Sequence, residues 1–473
     1  MTEPPATEEG RRPNVVLINC DDLGYGDLGC YGSTDNKTPE LDQLAADGLR
    51  FDSFYMASPV CSPSRAALLT GCYPPRIGFG SFDGLPVLFP GQAMGLADTE
   101  ISLAELLSTA GYRTEMIGKW HCGDQRGFLP TDHGFDHYLG LPYSNDMGRQ
   151  RPPTSGPFAP VEGQEPFYFN PLPLMVDDQV IEQQPDQASL TERYVVEAVR
   201  FLRDARHDPF LLYLAHLYVH VPIYVQERFA RQSTNGPYGA AVESIDWATK
   251  VILHELRSLG LEDDTIVIFT SDNGSRAVDG GSNLPLRGAK STTWEGGMRV
   301  PCIVRWPGRV EPGRVTDELA TAMDLYPTLA HLCGVTLPGD RTIDGRDISP
   351  LLLADDASSP HDAFYYYWMN DLEAVRVGGW KLHLAKHGTP ITELYDLDAD
   401  PAETTDLADV RPEVLSELQV HVERARTSLG DALHGRTGDD IRPPGRVEHP
   451  VTLTTYDPEH PYYLAEYDLT DRG

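Results

Sequence analysis

Positive charge is scarce in this chain of 473 residues: 38 Lys and Arg stand against 71 Asp and Glu, a formal net charge of −33. Nucleic-acid binding takes much of its affinity from cations that neutralise phosphates, so the deficit argues against that partner. It also weighs against a sulfated polysaccharide. A local basic pocket can still bind one sulfate, because exposed charges beyond roughly 8 Å are largely screened at physiological salt. Cysteine is sparse too. The seven are Cys20, Cys30, Cys61, Cys72, Cys122, Cys302 and Cys333, an odd number with no CxxC pair. Neither a disulfide framework nor a structural zinc site is indicated. No long apolar run is present. The most apolar stretch, residues 209–225, holds two His and an internal Pro and reads as a buried strand and a loop, so no membrane span is expected. The start, MTEPPATEEGRRPN, has neither a basic head nor an apolar core. No signal peptide is read there, and a cytoplasmic location is expected.

What is present is a globular composition, 40% hydrophobic and 23% charged. The length suggests one large α/β domain and a smaller one. PNVVLINCDD reads as a fully buried strand over residues 14–19. Similar short apolar runs lie at 112–118, 209–217, 265–271 and 300–306, spaced by helical patterns. That alternation predicts a large, mostly parallel central sheet flanked by helices. TPELDQLAADG predicts a helix that stops at Gly48. SLTERYVVEAVRFLRDA predicts another, with Ser189 and Glu192 as a capping box and Val195, Val199 and Leu202 on one face. Residues 149–188, rich in Pro, Gly and Gln, read as an excursion over the sheet's edge that borders a substrate pocket. From about residue 354 the pattern alternates like antiparallel strands and then gives one amphipathic helix. The expected division is a disordered 1–12, a catalytic α/β domain at 13–353, an α+β domain with an antiparallel sheet at 354–438, and a surface-wrapping tail at 439–473.

Chemistry-bearing residues gather at or beyond the predicted strand ends, where open α/β sheets bind ligands. Asp21 and Asp22 follow the first strand directly. Adjacent carboxylates repel unless a cation sits between them. Asp272 and Asn273 follow the strand at 265–271. Hard oxygen donors without His or Cys suit calcium or magnesium and not zinc. Turn and capping chemistry is the alternative reading of each pair alone. In CSPSRAALLTG, Cys61 is placed at a helix N-terminus, which stabilises negative charge, and Arg65 lies one turn on. The chain has six Lys. Lys119 and Lys290 sit in Gly-flanked loops, near His121 in GKWHCG and not far from Ser and Thr in RGAKSTTWEGG. His220 follows another strand.

Together these residues resemble the type I sulfatases of the alkaline phosphatase superfamily, in their arylsulfatase A-like branch. Cys61-Ser62-Pro63-Ser64-Arg65 followed by Leu69-Thr70-Gly71 is similar to the sulfatase signature. FLPTDHGFDHYLGLPYSNDMG, TPELDQLAADGLRF and GAKSTTWEGGMRVPCIVRWPG resemble further family segments. The likeness runs from about residue 13 to about residue 429. It implies an alkaline phosphatase-like fold and hydrolysis of a sulfate ester; the acidic composition and the lack of a membrane segment point to small soluble esters, aryl, steroid or sugar. It implies that Cys61 is oxidised to formylglycine by a separate formylglycine-generating enzyme. It implies calcium, with magnesium as the alternative, held by Asp21, Asp22, Asp272, Asn273 and an oxygen of the modified Cys61. Arg65 and Lys119 would orient the aldehyde hydrate, with Asp272 as its candidate base. Lys119, His220 and Lys290 would hold the sulfate oxygens. Lys290 or His220 would protonate the leaving alcohol, and His121 would take the proton that lets sulfate depart. Cys122 stands where many relatives carry an apolar residue. The competing readings are a phosphomonoester or phosphonate-ester hydrolase of the same superfamily and a calcium-binding homologue without catalysis. The oligomeric state is not legible in the sequence.

Overall fold

NVVLINC offers apolar side chains to both faces and no turn residue, which suits a strand covered on both sides. It forms β1 (Asn14–Cys20), buried throughout. The computed structural model describes residues 12–149 and 169–462. In it β1 lies inside a ten-stranded sheet. The sheet continues with β2 (Leu49–Phe51), β3 (Arg113–Lys119), β4 (His137–Leu141), β5 (Pro173–Val176), β6 (Gln179–Gln183), β7 (Phe210–Ala215), β8 (Thr265–Ser271), β9 (Cys302–Arg305) and β10 (Arg314–Thr316). Its spatial order is β10-β2-β9-β8-β1-β7-β3-β4-β5-β6. The central strands β8, β1, β7, β3 and β4 are all parallel. The run at 300–306, expected as one more parallel strand, instead gives β9, antiparallel to β8 and β2. The connection from β8 to β9 contains no helix long enough to carry the chain back to the far end of the sheet, so β9 starts at the end where β8 stops.

Side chains alternate across the sheet. Val16 and Ile18 face one side, against Tyr194, Ala198 and Phe201 of a helix at Leu190–Asp204 and Val242 and Ile245 of a helix at Gly236–Ser258. Val15 and Leu17 face the other, where Leu68 and Leu69 of a helix at Cys61–Thr70 share a core with Leu325 and Leu329. In chain order the helices used below are α1 (Pro39–Ala46), α2 (Cys61–Thr70), α3 (Leu190–Asp204), α4 (Gly236–Ser258) and α5 (Pro412–Ser428).

Two helix ends differ from expectation. The capping box at Ser189 does not form: Ser189 has helical φ and ψ and no side-chain cap bond, and Asp186 accepts from the Ala188 N–H instead. The chain enters α3 through a short 3-10 turn at Gln187–Ser189, so the helix begins after Ser189 as expected but without the capping bonds. Val195 and Leu202 are buried as expected, but Val199 is only half-buried. Helix α1 is capped by Asp47 and not by Gly48. Gly48 is needed for a different reason: a Cβ there would lie 2.4 Å from the Val304 carbonyl of β9.

The stretch expected as an edge excursion contributes β5 and β6, the outer strands on that side. Residues 150–168 of that stretch, expected to border a substrate pocket with the rest of it, lie outside the described residues, as do the ends at 1–11 and 463–473. Further on, β11 (Phe364–Trp368), β12 (Asp371–Val377), β13 (Trp380–Lys386) and β14 (Thr389–Asp396) form an antiparallel meander. Helix α5 covers it with Val414, Leu418, Val422 and Ala425. The chain then returns to the first sheet's side, where Gly445–Arg446 pairs with Met94–Gly95. Among the described residues no helix is long and apolar enough to cross a membrane.

Candidate active site

Strand register assembles the site. β1 and β8 are parallel, with Cys20 opposite Ser271. The residues that follow, Asp21 and Asp22 on one chain segment and Asp272 and Asn273 on the other, therefore leave the sheet side by side. The Asp22 N–H donates to Asp272 Oδ1 at 3.2 Å, and Asn273 Nδ2 donates to Asp22 Oδ1 at 2.7 Å. All four are buried, and two of their oxygens, Asp21 Oδ1 and Asn273 Oδ1, accept no hydrogen bond among the described residues. Buried acceptors are normally satisfied. A side-chain set with only oxygen donors and unclaimed lone pairs fits a hard divalent cation such as calcium or magnesium.

Permanent cations surround the acids. Lys119, the last residue of β3, donates to Asp21 Oδ2 at 2.5 Å and to Ser144 Oγ at 3.2 Å. Lys290 donates to Asp22 Oδ2 at 2.9 Å. Arg65 donates through Nε to Asp272 Oδ2 at 2.8 Å and through Nη1 to the Lys119 carbonyl at 2.8 Å, and its Nη2 stands 3.6 Å from Asp21. Burial alone would raise the Asp21 carboxyl, but Lys119, His220, Arg65 and Lys290 outweigh it and hold it well below the usual carboxylate range. Burial and then the neighbouring Asp21 charge push Asp272 the other way. Burial works against the charge of Lys290, yet Asp22 keeps the ammonium above its ordinary value.

Cys61 is the first residue of α2. The helix closes at Gly71, which takes the left-handed conformation (φ 69°) and donates to the Ala67 carbonyl. Burial raises the Cys61 thiol to about 11 despite Lys119 and Lys290 nearby. The unmodified side chain would therefore stay protonated, and thus weakly nucleophilic, near neutral pH. His121 Nε2 donates to the Leu88 carbonyl at 2.9 Å, which leaves Nδ1 buried and unpartnered. Burial and then Lys119 hold its pKa well below the ordinary value. His220 Nδ1 donates to the Val221 carbonyl, and its Nε2 lies 3.3 Å from Ser144 Oγ and 4.0 Å from Asp22 Oδ2. Cys122 is buried in the apolar core beside this group.

The catalytic and metal-ligating residues singled out in the sequence thus gather at the carboxyl ends of the central strands. Two more belong with them. Ser144 bridges Lys119 and His220. It follows the end of β4 by three residues, so the strand-end rule applied to that strand finds it. Ser64 donates from Oγ to the Asp272 carbonyl and fixes α2 to the turn after β8. Nothing in its side chain distinguishes it from the other serines of the sequence.

Comparison with known proteins agrees with this geometry. The sulfatase family profile matches residues 13–335, and a profile described as N-sulphoglucosamine sulphohydrolase, C-terminal, matches residues 289–428. Human arylsulfatase A is 42% identical over 445 residues, covering 86% of this chain and 87% of the relative. Steryl-sulfatase of Mus musculus is 36% identical, covering 90% and 84%. Among solved structures, the PsFucS1 sulfatase from Pseudoalteromonas sp. superposes with a TM-score of 0.76 at 30% identity, covering 89% of this chain and 91% of that one. The phosphonate monoester hydrolase of Agrobacterium radiobacter, at 21% identity and a TM-score of 0.61, shares the fold, covering 89% and 95%. With its acidic pairs, its cations and Cys61 gathered at the carboxyl ends of the central strands, the chain belongs to the sulfatase family and is a sulfuric ester hydrolase.

Proposed function

We propose that the chain cleaves sulfate monoesters through a formylglycine made from Cys61 by a separate maturation enzyme, with calcium held by Asp21, Asp22, Asp272 and Asn273. The observation that carries this reading is the in-register emergence of the two acidic pairs among Arg65, Lys119 and Lys290. Three carboxylates facing three permanent cations make a neutral site, so a divalent ion would leave a net charge of about +2, a field that draws an anionic ester into a dry pocket. When present, the hydrated aldehyde at position 61 supplies the attacking hydroxyl and the ion lowers its pKa.

The chain's own side chains then have separable tasks. Arg65 holds Asp272 and the Lys119 backbone in place, so both the candidate base and the lysine are oriented before substrate arrives. Lys119, Lys290 and His220 offer donors to sulfuryl oxygens as charge builds on them. Ser144 keeps Lys119 and His220 together. His121 Nδ1, with its lone pair free, suits the acceptance of a proton as sulfate departs. Lys290 or His220 supplies a proton to the leaving oxygen. The name of the rat N-acetylgalactosamine-6-sulfatase, 41% identical, and that of the mouse steryl-sulfatase favour a sugar or steroid sulfate beside aryl sulfates.

Mass spectrometry of the Cys61 peptide from the native host is the test. An aldehyde in place of the thiol, with turnover lost on chelation and restored by calcium better than by zinc, is the expected result. An unmodified thiol in fully active protein would end this reading. Aryl sulfates of graded leaving-group pKa assign the acid. Of Lys290→Ala and His220→Gln, the variant lacking the proton donor loses most rate on the poorest leaving group. Matched aryl phosphates separate sulfatase from phosphatase action.

A further inference from the structure

A second constellation of ligating side chains lies in the same sheet, away from the chemistry. Glu115 precedes Lys119 by four residues in β3, roughly 13 Å along the strand at about 3.3 Å per residue. It is 4% exposed, and its Oε1 is buried and makes no hydrogen bond among the described residues. Strand register sets Glu115 against His137, the first residue of β4. Glu197 of α3 reaches the same point: one oxygen of Glu115, one oxygen of Glu197 and a ring nitrogen of His137 all lie within 4.8 Å of one another.

The charges around this point do not balance. His137 Nδ1 stands 2.7 Å from Asp177 Oδ1 and Nε2 stands 3.9 Å from Glu197 Oε1. Asp177 and Asp136 add negative charge near Glu115, and Arg113 is the cation acting on it. Arg200 pairs with Glu197 from the solvent side. Burial and then the Glu197 charge push the Glu115 carboxyl up to about 9. A carboxylate on one ring nitrogen of a histidine, fixing its tautomer and leaving the other nitrogen free, is the usual support for a metal-ligating imidazole.

We propose that Glu115, His137 and Glu197 form a second cation site that takes a borderline divalent metal, zinc before calcium, and clamps α3 to the edge of the sheet. One imidazole and two carboxylates suit such ions. His220 also lies beside Asp21 and Asp22 in the active site, so a zinc measurement needs that site filled with calcium. Bonds of about 2.0–2.2 Å to a tetrahedral ion place ligand atoms roughly 3.4 Å apart, so the three atoms draw in by about an ångström. The side chains of His137 and Glu197 are 34% and 13% exposed, which leaves them room to move and the ion a path of entry. A water completes the shell on the open side.

The experiment uses the full chain in excess calcium, so that the active site is filled, with zinc added and unbound metal removed by dialysis. Zinc content and melting temperature are measured for the wild type, Glu115→Gln and His137→Ala, and calcium-dependent sulfatase turnover reports that each is folded. The wild type is expected to keep one zinc per chain and to melt higher with zinc. Both variants are expected to lose at least tenfold in zinc affinity, with no zinc-dependent rise in melting temperature and turnover within twofold of wild type. Glu115→Gln preserves the shape of the protonated acid and cannot ionise to bind a metal, so it folds even if His137→Ala does not. Equal zinc retention by wild type and Glu115→Gln overturns the proposal. So does a wild type that retains none, in which case Glu115 is a neutral acid that keeps its proton.

Discussion

Asp246 on α4 is buried, yet its Oδ1 accepts from the N–H groups of Glu40 and Leu41 at 3.0 and 2.9 Å. It thereby caps α1, whose own N-cap Thr38 makes no side-chain cap bond. Burial pushes the carboxyl up to about 7, and those two N–H groups offset only part of the shift from 3.8. The folded chain therefore holds a proton that the unfolded chain releases. The stability linked to that proton is complete below pH 3.8 and is lost as the pH rises to about 7. Asp246→Asn keeps an oxygen acceptor and cannot ionise. Relative to wild type it should gain roughly 3–4 kcal/mol between pH 4 and pH 8. Urea unfolding at both pH values measures this, and a difference independent of pH would contradict it.

At the scale of elements, the strands present the catalytic side chains only if neighbouring backbones can approach. Gly118 precedes Lys119 in β3 with φ +108°, and a Cβ on it would fall 1.8 Å from the Ala215 carbonyl of β7. Gly118→Ala must push β3 from β7 and move Lys119 away from Asp21. The expected cost is roughly 2 kcal/mol or more in stability, with at least a tenfold fall in kcat/KM. Melting curves and aryl sulfate kinetics check both, and unchanged kinetics in a destabilised variant would detach Lys119 from catalysis. The same elements show what was legible in advance. β1 and β8 were readable because a strand buried on both faces carries a near-continuous apolar core, here residues 15–18 and 266–269, and the acids that follow end it abruptly. The antiparallel course of β9 was not, because VPCIVRW carries the same burial signature in either direction. The start of α3 at Ser189 was legible, but its capping bonds were not: a 3-10 turn precedes the helix and gives Ser189 helical φ and ψ, so its hydroxyl does not cap despite the right spacing to Glu192. Ser144 follows a strand end and Ser64 lies inside the Cys61–Arg65 motif, but the contacts through which they act are tertiary and are not written in the residues beside them.

At the scale of the molecule, the antiparallel meander touches the chemistry through a buried ionic network. Lys381 of β13 donates to the Thr293 carbonyl at 2.9 Å and to Glu295 Oε1 at 2.8 Å, and lies 3.0 Å from Glu403 Oε1. His383 shares that Glu403 oxygen at 2.6 Å, and Tyr366 donates to Glu295 at 2.9 Å. Thr293 and Glu295 lie just beyond Lys290 in the same segment, so the meander fixes the stretch that carries this lysine. Lys381→Met leaves two buried carboxylates facing each other. It should cost roughly 3–5 kcal/mol and raise KM more than it lowers kcat, because the slackened segment binds sulfate less well. Denaturation and saturation kinetics test the two parts, and a stability loss with unaltered KM would make the network purely structural.

The level alignment of β1 with β8 restricts how a site of this kind can change over generations. One codon gained or lost within either strand would rotate its acidic pair to the opposite face and separate it from its counterpart. A replacement of equal size keeps that alignment, whereas growth or shrinkage can be absorbed only in the connections between strands, and new ester preferences should arise there.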